Sequence, residues 1–119
     1  MVLVDTSVWV AHLRTGVPAL ARTLNDGEAL GHPHVVGELA CGNLHNRGAI
    51  LALLADLPQA VLATHEEALA CIEGNRLSGK GLGWSDVHLL ASALLTPVRL
   101  WTLDEALARE AKRCGVALE

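Results

Sequence analysis

The fold is decided by the first nine residues, Met1-Val2-Leu3-Val4-Asp5-Thr6-Ser7-Val8-Trp9. Four apolar residues are followed at once by an acid and two hydroxyl side chains. Such a run predicts a buried strand over Met1–Val4 that stops at Asp5 and leads into a helix. Because a carboxylate at the end of a buried strand needs partners for its charge, Asp5 is the first candidate site residue.

A segment near the C-terminus has the same pattern of an apolar run followed by an acid. Pro97–Thr102 predicts another strand, and Asp104 follows it in the run Leu100-Trp101-Thr102-Leu103-Asp104. In open α/β sheets, sites form beyond the carboxyl ends of the strands. We therefore expect Asp5 and Asp104 to face the same crevice.

Strands and helices alternate along the rest of the chain. Further strands are expected over Glu28–Gly31 and Ala60–Ala63, and Val116–Leu118 is a candidate edge strand. Helices are predicted over Val8–Leu13, Ala19–Asn25, His34–Leu44, Arg47–Asp56, His65–Leu77, Trp84–Leu95 and Asp104–Cys114. This alternation predicts a single α/β domain over residues 1–119, with a parallel sheet covered on both faces.

Two more acids lie on the predicted helices. Asp86 is at the start of its helix, where Ser85 is the expected cap, and Glu38 is the only charged residue between Glu28 and Arg47. Acids in a first helical turn also complement the helix dipole, so a structural role for Asp86 and Asp104 stays open. Four carboxylates in one crevice would repel each other, and Mg²⁺ or Mn²⁺ relieves such repulsion.

The charge balance is compatible with a nucleic-acid partner. The net charge is −4, which alone argues against one. Of the 13 Asp and Glu, however, four in a cation site leave nine, which equals the 9 Lys and Arg. The acidity would then be concentrated in that site.

Composition also bears on the interior and the cellular compartment. Leu, Ala and Val must fill the core with Trp9, Trp84 and Trp101, because Phe and Tyr are absent. Charged residues make up only 18%, which suggests that a partner covers some surface. Three scattered cysteines fit reduced thiols, and neither a signal peptide nor a membrane span is recognisable. We expect a soluble, cytoplasmic protein.

The motifs resemble those of the PIN-domain ribonucleases, in particular the VapC-type toxins of toxin–antitoxin pairs. The matching segments are Val2–Trp9, Gly37-Glu38-Leu39 with Gly42-Asn43, Leu51–Pro58, Trp84–Ala93 and Leu100–Asp104. The resemblance implies a three-layer α/β/α sandwich with a mostly parallel sheet of four or five strands. The aromatic residue that the family often carries after its last acid is missing from Glu105-Ala106-Leu107.

The resemblance also implies an activity. It predicts an endoribonuclease that hydrolyses RNA with metal-activated water and uses one or two Mg²⁺ or Mn²⁺ ions. Asp5, Glu38, Asp86 and Asp104 would be its catalytic acids and metal ligands. Ser7 or the adjacent Thr6 would match a small polar residue that supports the site, and Thr102 the polar residue two before the last acid. A cognate antitoxin, bound in an apolar groove, and a homodimer are implied as partners.

Two other functions are compatible with parts of the sequence. An Asp-dependent phosphatase or phosphoacceptor could use Asp5 as nucleophile, but Ser7 stands where dehalogenase-type enzymes need a second Asp. A PIN-like binding module without catalysis is the non-enzymatic alternative. Zinc sites and phosphate loops are disfavoured, since neither HExxH nor a complete G-x-x-x-x-G-K-[ST] motif is present. His34 and His45 remain candidate contacts to RNA phosphate.

Overall fold

The computed structural model describes residues 1–118. It contains three strands and seven helices, which we number in chain order. The strands are β1 (Val2–Val4), β2 (Ala29–Leu30) and β3 (Arg99–Trp101). The helices are α1 (Thr6–Thr15), α2 (Pro18–Asn25), α3 (Pro33–Cys41), α4 (Arg47–Asp56), α5 (His65–Asn75), α6 (Trp84–Leu95) and α7 (Glu105–Arg113).

The sheet is parallel, and β1 is its central strand in the order β2-β1-β3. Leu3 pairs with Leu30 on one side and with Leu100 on the other. All three residues of β1 are buried, and successive residues of a strand point to opposite faces. Both faces of the sheet are therefore covered, as the alternating elements predicted.

The sheet is narrower than the four or five strands expected. Among the described residues, its edges are extended by single bridges, Gly31 with Gln59 and Leu100 with Ala117. The predicted strand over Ala60–Ala63 is wrong. After Ala60 donates to the Gly31 carbonyl, the Val61 amide turns to the Thr96 hydroxyl, which ends the pairing.

Several helix ends also differ from their predicted positions. The helix expected over His34–Leu44 is α3, which ends at Cys41. The helix expected to reach Leu77 is α5, which ends at Asn75 because Arg76 adopts a left-handed backbone conformation, with φ of 54°. Its start is as predicted: Thr64 accepts a hydrogen bond from the Glu67 amide, and Glu67 accepts one from the Thr64 amide.

The core is built from Leu, Val and Ala, with Trp9 as its largest side chain. Trp101 is half-buried, but the expectation that Trp84 fills the interior is wrong, since its side chain is 40% exposed. In residues 1–118, the helices are all too short or too polar to cross a bilayer.

Candidate active site

The site is centred on Asp5, which follows the central strand. Its amide donates to the Trp101 carbonyl, which extends the pairing of β1 with β3, and the residue is only 5% exposed. The hydroxyls of Ser7 and Thr102 each donate to Oδ2 of Asp5 at 2.7 Å. Two hydroxyl donors stabilise the ionised carboxylate of a residue that is almost fully buried. Within residues 1–118, Oδ1 of Asp5 has no hydrogen-bond partner.

The same two hydroxyls fix the turn that carries Asp104. Ser7 Oγ accepts from the Leu103 amide at 2.9 Å, and Thr102 Oγ1 accepts from the Asp104 amide at 3.0 Å. Asp104 itself caps α7, because its Oδ1 accepts from the Leu107 amide at 2.9 Å. The structural role left open for Asp104 is therefore present, and its exposed carboxylate still lies beside the Asp5 cluster.

Asp86 approaches the same place from the first turn of α6. Its Oδ2 accepts from the Gly83 amide at 2.9 Å, so the residue before the helix is Gly83 and the expected Ser85 cap is wrong. Burial raises the pKa of the Asp86 carboxyl, and the negative charges of Asp5 and Asp104 raise it further against the opposing Gly83 bond. Asp86 is thus close enough to Asp5 and Asp104 for their charges to act on it.

Glu38 joins this group through a single contact. It is exposed on α3, and its Oε1 accepts from the Thr6 hydroxyl at 2.9 Å. Thr6 is the neighbour of Asp5 and opens α1. The two alternatives for the supporting hydroxyl are therefore separate contacts: Ser7 holds Asp5, and Thr6 holds Glu38. The Gly83 amide is a further support, for Asp86, that was not expected from the sequence. An acid placed three residues after a glycine could have indicated it.

The acids suit a hard divalent cation by their chemistry. Carboxylate oxygens are the preferred ligands of Mg²⁺ and Mn²⁺, and a cation would relieve the repulsion that raises the pKa of Asp86. Across the described part of the chain, however, no three Asp, Glu, His or Cys side chains are already arranged as a metal site. The four carboxylates are therefore chemically suited to such a cation, but among the described residues their side chains are not arranged as a ligand shell.

The histidines near the site have structural partners. His32 is buried, its Nδ1 accepts from the His34 amide at 3.0 Å, and its Nε2 meets the Ser92 hydroxyl at 3.1 Å. Burial, aided by the charges of His34 and His88, lowers the pKa of His32 to about 4. A neutral imidazole that accepts at Nδ1 donates from Nε2, so His32 acts as a helix cap.

An apolar groove opens beside Glu38. It has a volume of about 550 Å³ and lies between α1, α3 and the segment leading into α4. Its apolar lining comes from Val10, Leu13, Leu39, Leu44 and Ile50. Its polar lining comes from Thr6, Arg14, Glu38, Asn43, His45 and Asn46.

Comparisons with known proteins identify the class. Residues 2–113 match the PIN domain, and the chain belongs to the PIN-domain family. It is 47% identical over 119 residues to Ribonuclease VapC32 of Mycobacterium tuberculosis, as found in both strain H37Rv and strain CDC 1551. The alignment covers 99% of this chain and 96% of that protein. The expected membership among VapC-type PIN proteins is confirmed.

Proposed function

We propose that residues 1–119 act as a single PIN domain, a metal-dependent endoribonuclease that is the toxin of a toxin–antitoxin pair in the cytoplasm. The observation that carries the proposal is the cluster at the carboxyl end of β1. There, a buried Asp5 is held by two hydroxyls while Asp86 and Asp104 act on each other through their charges. The kinship with a protein named a ribonuclease supports RNA as the substrate.

The proposed roles follow from the contacts. Asp5, Glu38, Asp86 and Asp104 are the catalytic acids and would hold one or two Mg²⁺ or Mn²⁺ ions. When bound, a divalent cation supplies charge neutralisation and acidifies a coordinated water for attack on a phosphodiester. Ser7 and Thr102 hold Oδ2 of Asp5 in place and leave Oδ1 to face the cation. Thr6 orients Glu38 towards the same crevice.

Charge explains why RNA and the cation would bind together. Without a bound cation, the negative charges of the four acids repel a phosphate backbone. Outside these four acids, the formal charges of the chain balance. Metal loading is therefore expected to change the site from one that repels phosphate to one that accepts it.

The groove beside Glu38 is the proposed site for the antitoxin. A groove lined by both apolar and polar side chains suits an amphipathic segment, whose apolar face would pack on the apolar lining. An occupant of this groove would reach Glu38 and Thr6 and thereby block the crevice. A homodimer is proposed as the functional assembly, on the resemblance alone.

The test is RNA cleavage by the purified protein, freed of any bound partner, in Mg²⁺, Mn²⁺ or EDTA. We expect discrete fragments that require metal and disappear with Asp5→Asn. Asp26→Asn, which changes an exposed acid at the end of α2, is the matched control and should cleave as the wild type does. Equal cleavage in EDTA, or by Asp5→Asn, would contradict the proposal.

A further inference from the structure

Trp84 is an exposed aromatic residue in an unusual setting. It opens α6, the helix in which all seven positions from Val87 to Ala93 are buried, yet its own side chain is 40% exposed. Leaving a large aromatic surface in water forgoes the stabilisation that its burial would give. The surroundings of Trp84 show how that surface is held.

Four aromatic rings form a continuous row across three helix starts. His34 of α3 stacks on His88 of α6, with centroids 4.5 Å apart and planes at 25°. Trp84 meets His88 edge to face at 4.7 Å, and its other neighbour is His65, the first residue of α5, at 5.3 Å. We call the exposed indole of Trp84, with its flanking rings His65 and His88, the aromatic platform.

The platform is fixed rather than loosely placed. His34, which supports His88, is itself within hydrogen-bond distance of Ser85, since Nδ1 and Oγ lie 3.0 Å apart. His88 is buried and cannot turn aside without disturbing that stack. A rigid aromatic face binds a ligand at a smaller entropic cost than a mobile one.

The platform lies beside the acids. Trp84 and Asp86 are both in the first turn of α6, but residues two apart point to different sides of a helix, so the link between the platform and the acids runs through α3, whose His34 stacks on His88. On α3, Glu38 lies one turn after His34, on the same side of that helix. The platform therefore borders the crevice into which an RNA backbone would be placed.

We propose that the aromatic platform binds an unpaired nucleobase of the RNA substrate by stacking on Trp84. This inference rests on the proposed function and adds a base-binding position to it. Proteins that bind single-stranded RNA stack its bases on aromatic side chains, while the backbone follows a polar channel. Trp84 supplies the stacking face, and the acids, once they hold a cation, supply the position for the phosphate.

The experiment separates base stacking from cleavage. With Ca²⁺ in place of Mg²⁺, to neutralise the acids without supporting rapid cleavage, tryptophan fluorescence is measured with a single-stranded oligonucleotide and with an abasic oligonucleotide of equal length and charge. We expect quenching by the first only. Trp84→Leu should weaken binding roughly 5- to 150-fold, the usual range for loss of one stacked base, and Trp84→Phe should restore much of it.

Leu95→Ala is the matched control, because Leu95 is a similarly exposed apolar residue at the other end of α6. It should bind as the wild type does. In metal, Trp84→Leu should raise the KM for RNA cleavage by the same factor and change kcat little. Melting temperatures of all variants establish that they are folded.

The outcomes distinguish the two proposals. Unchanged affinity and KM in Trp84→Leu, with normal wild-type cleavage, would overturn the platform and leave the nuclease intact. Specific quenching of Trp84 without any metal-dependent cleavage would support the platform and contradict the nuclease. Equal binding of the abasic oligonucleotide would overturn base stacking. If Trp84→Leu no longer bound a protein partner but kept its affinity for the oligonucleotide, the surface would be assigned to that partner instead.

Discussion

The Thr102 hydroxyl lies 2.7 Å from Oδ2 of Asp5, across 97 residues of sequence. The contact joins the ends of the adjacent strands β1 and β3, and the same oxygen of Thr102 accepts from the Asp104 amide. One hydroxyl therefore couples the central acid of the site to the turn that carries another. Ser7 makes the equivalent pair of contacts, to Asp5 and to the Leu103 amide.

Replacing this hydroxyl should impair the site and the fold together. Thr102→Val keeps the shape but removes the donor to Asp5, and we expect about 2 kcal/mol less free energy of unfolding. If Asp5 is a metal ligand as proposed, RNA cleavage should fall about 10- to 100-fold, the usual effect of removing a residue that orients such a ligand. Thr102→Ser retains the hydroxyl and should keep most of both properties. Equal losses in the Val and Ser variants, measured by urea unfolding and initial rates, would contradict the role of the hydroxyl.

The ionised carboxylate of Asp86 should destabilise the metal-free protein, because burial, and then the charges of Asp5 and Asp104, raise its pKa. The pKa of Asp86 is raised in the folded state, so its ionisation reduces stability as the pH rises through that pKa. Asp86→Asn removes this charge and can still accept from the Gly83 amide. We expect a higher melting temperature for this variant than for the wild type at pH 7 in EDTA.

The control for Asp86→Asn is Glu28→Gln, which alters an exposed acid between α2 and β2, outside any helix. It should not raise the melting temperature in the same way. A lower melting temperature for Asp86→Asn would show that its carboxylate stabilises the fold, which would contradict the destabilisation expected from its burial and its acidic neighbours.

Because of His32, we expect the free energy of unfolding to fall in mild acid. The pKa of His32 is lowered from 6.5 to about 4 in the folded state. Between these two pH values, the unfolded chain therefore binds a proton that the folded protein does not bind. Stability is therefore lost as the pH falls from 6.5 to 4, by about 3 kcal/mol from this residue. His32→Asn, which can still cap α3, should flatten the dependence measured by urea unfolding. The exposed His45→Asn should leave it unchanged, and an unchanged slope in His32→Asn would count against a neutral, buried His32.

The glycine-rich loop before Asp86 is held by α7. Arg109 donates to the Lys80 carbonyl at 2.9 Å, and Gly79 and Gly81 on either side have positive φ angles. Arg109→Met removes the bond, so we expect trypsin to cleave after Lys80 roughly 2- to 10-fold faster. Lys112→Met, on the same helix, should not accelerate that cleavage. Equal rates in the wild type and Arg109→Met would mean that the bond does not restrain the loop.

Much of the fold is readable from local sequence. The apolar run of β1 and the uninterrupted helices α4 and α6 lie where they were expected, with α4 and α6 at the expected limits. Ala60–Ala63 has a strand-like sequence, but its pairing is decided by the Thr96 hydroxyl, which is 35 residues from Val61. Local pattern cannot predict such a competition between a side chain and a strand edge.

The site was predictable to a similar degree. The need of Asp5 for partners follows from its place after a buried strand, and the structure supplies Ser7 and Thr102. The exposure of Glu38 depends on how α3 is rotated against its neighbours, which its largely apolar sequence does not specify. The same limit applies to Trp84, whose aromatic type indicated burial. The assignment of the four acids as metal ligands remains a prediction.

Binding of Mn²⁺ to the metal-free protein, measured by calorimetric titration without RNA, tests the central claim most directly. We expect one or two bound ions, lost or greatly weakened in Asp5→Asn, while Asp26→Asn binds as the wild type does. Asp86→Asn, Asp104→Asn and Glu38→Gln should each weaken binding as well. Mn²⁺ binding that none of these four substitutions affects would contradict a cation site built from Asp5, Glu38, Asp86 and Asp104.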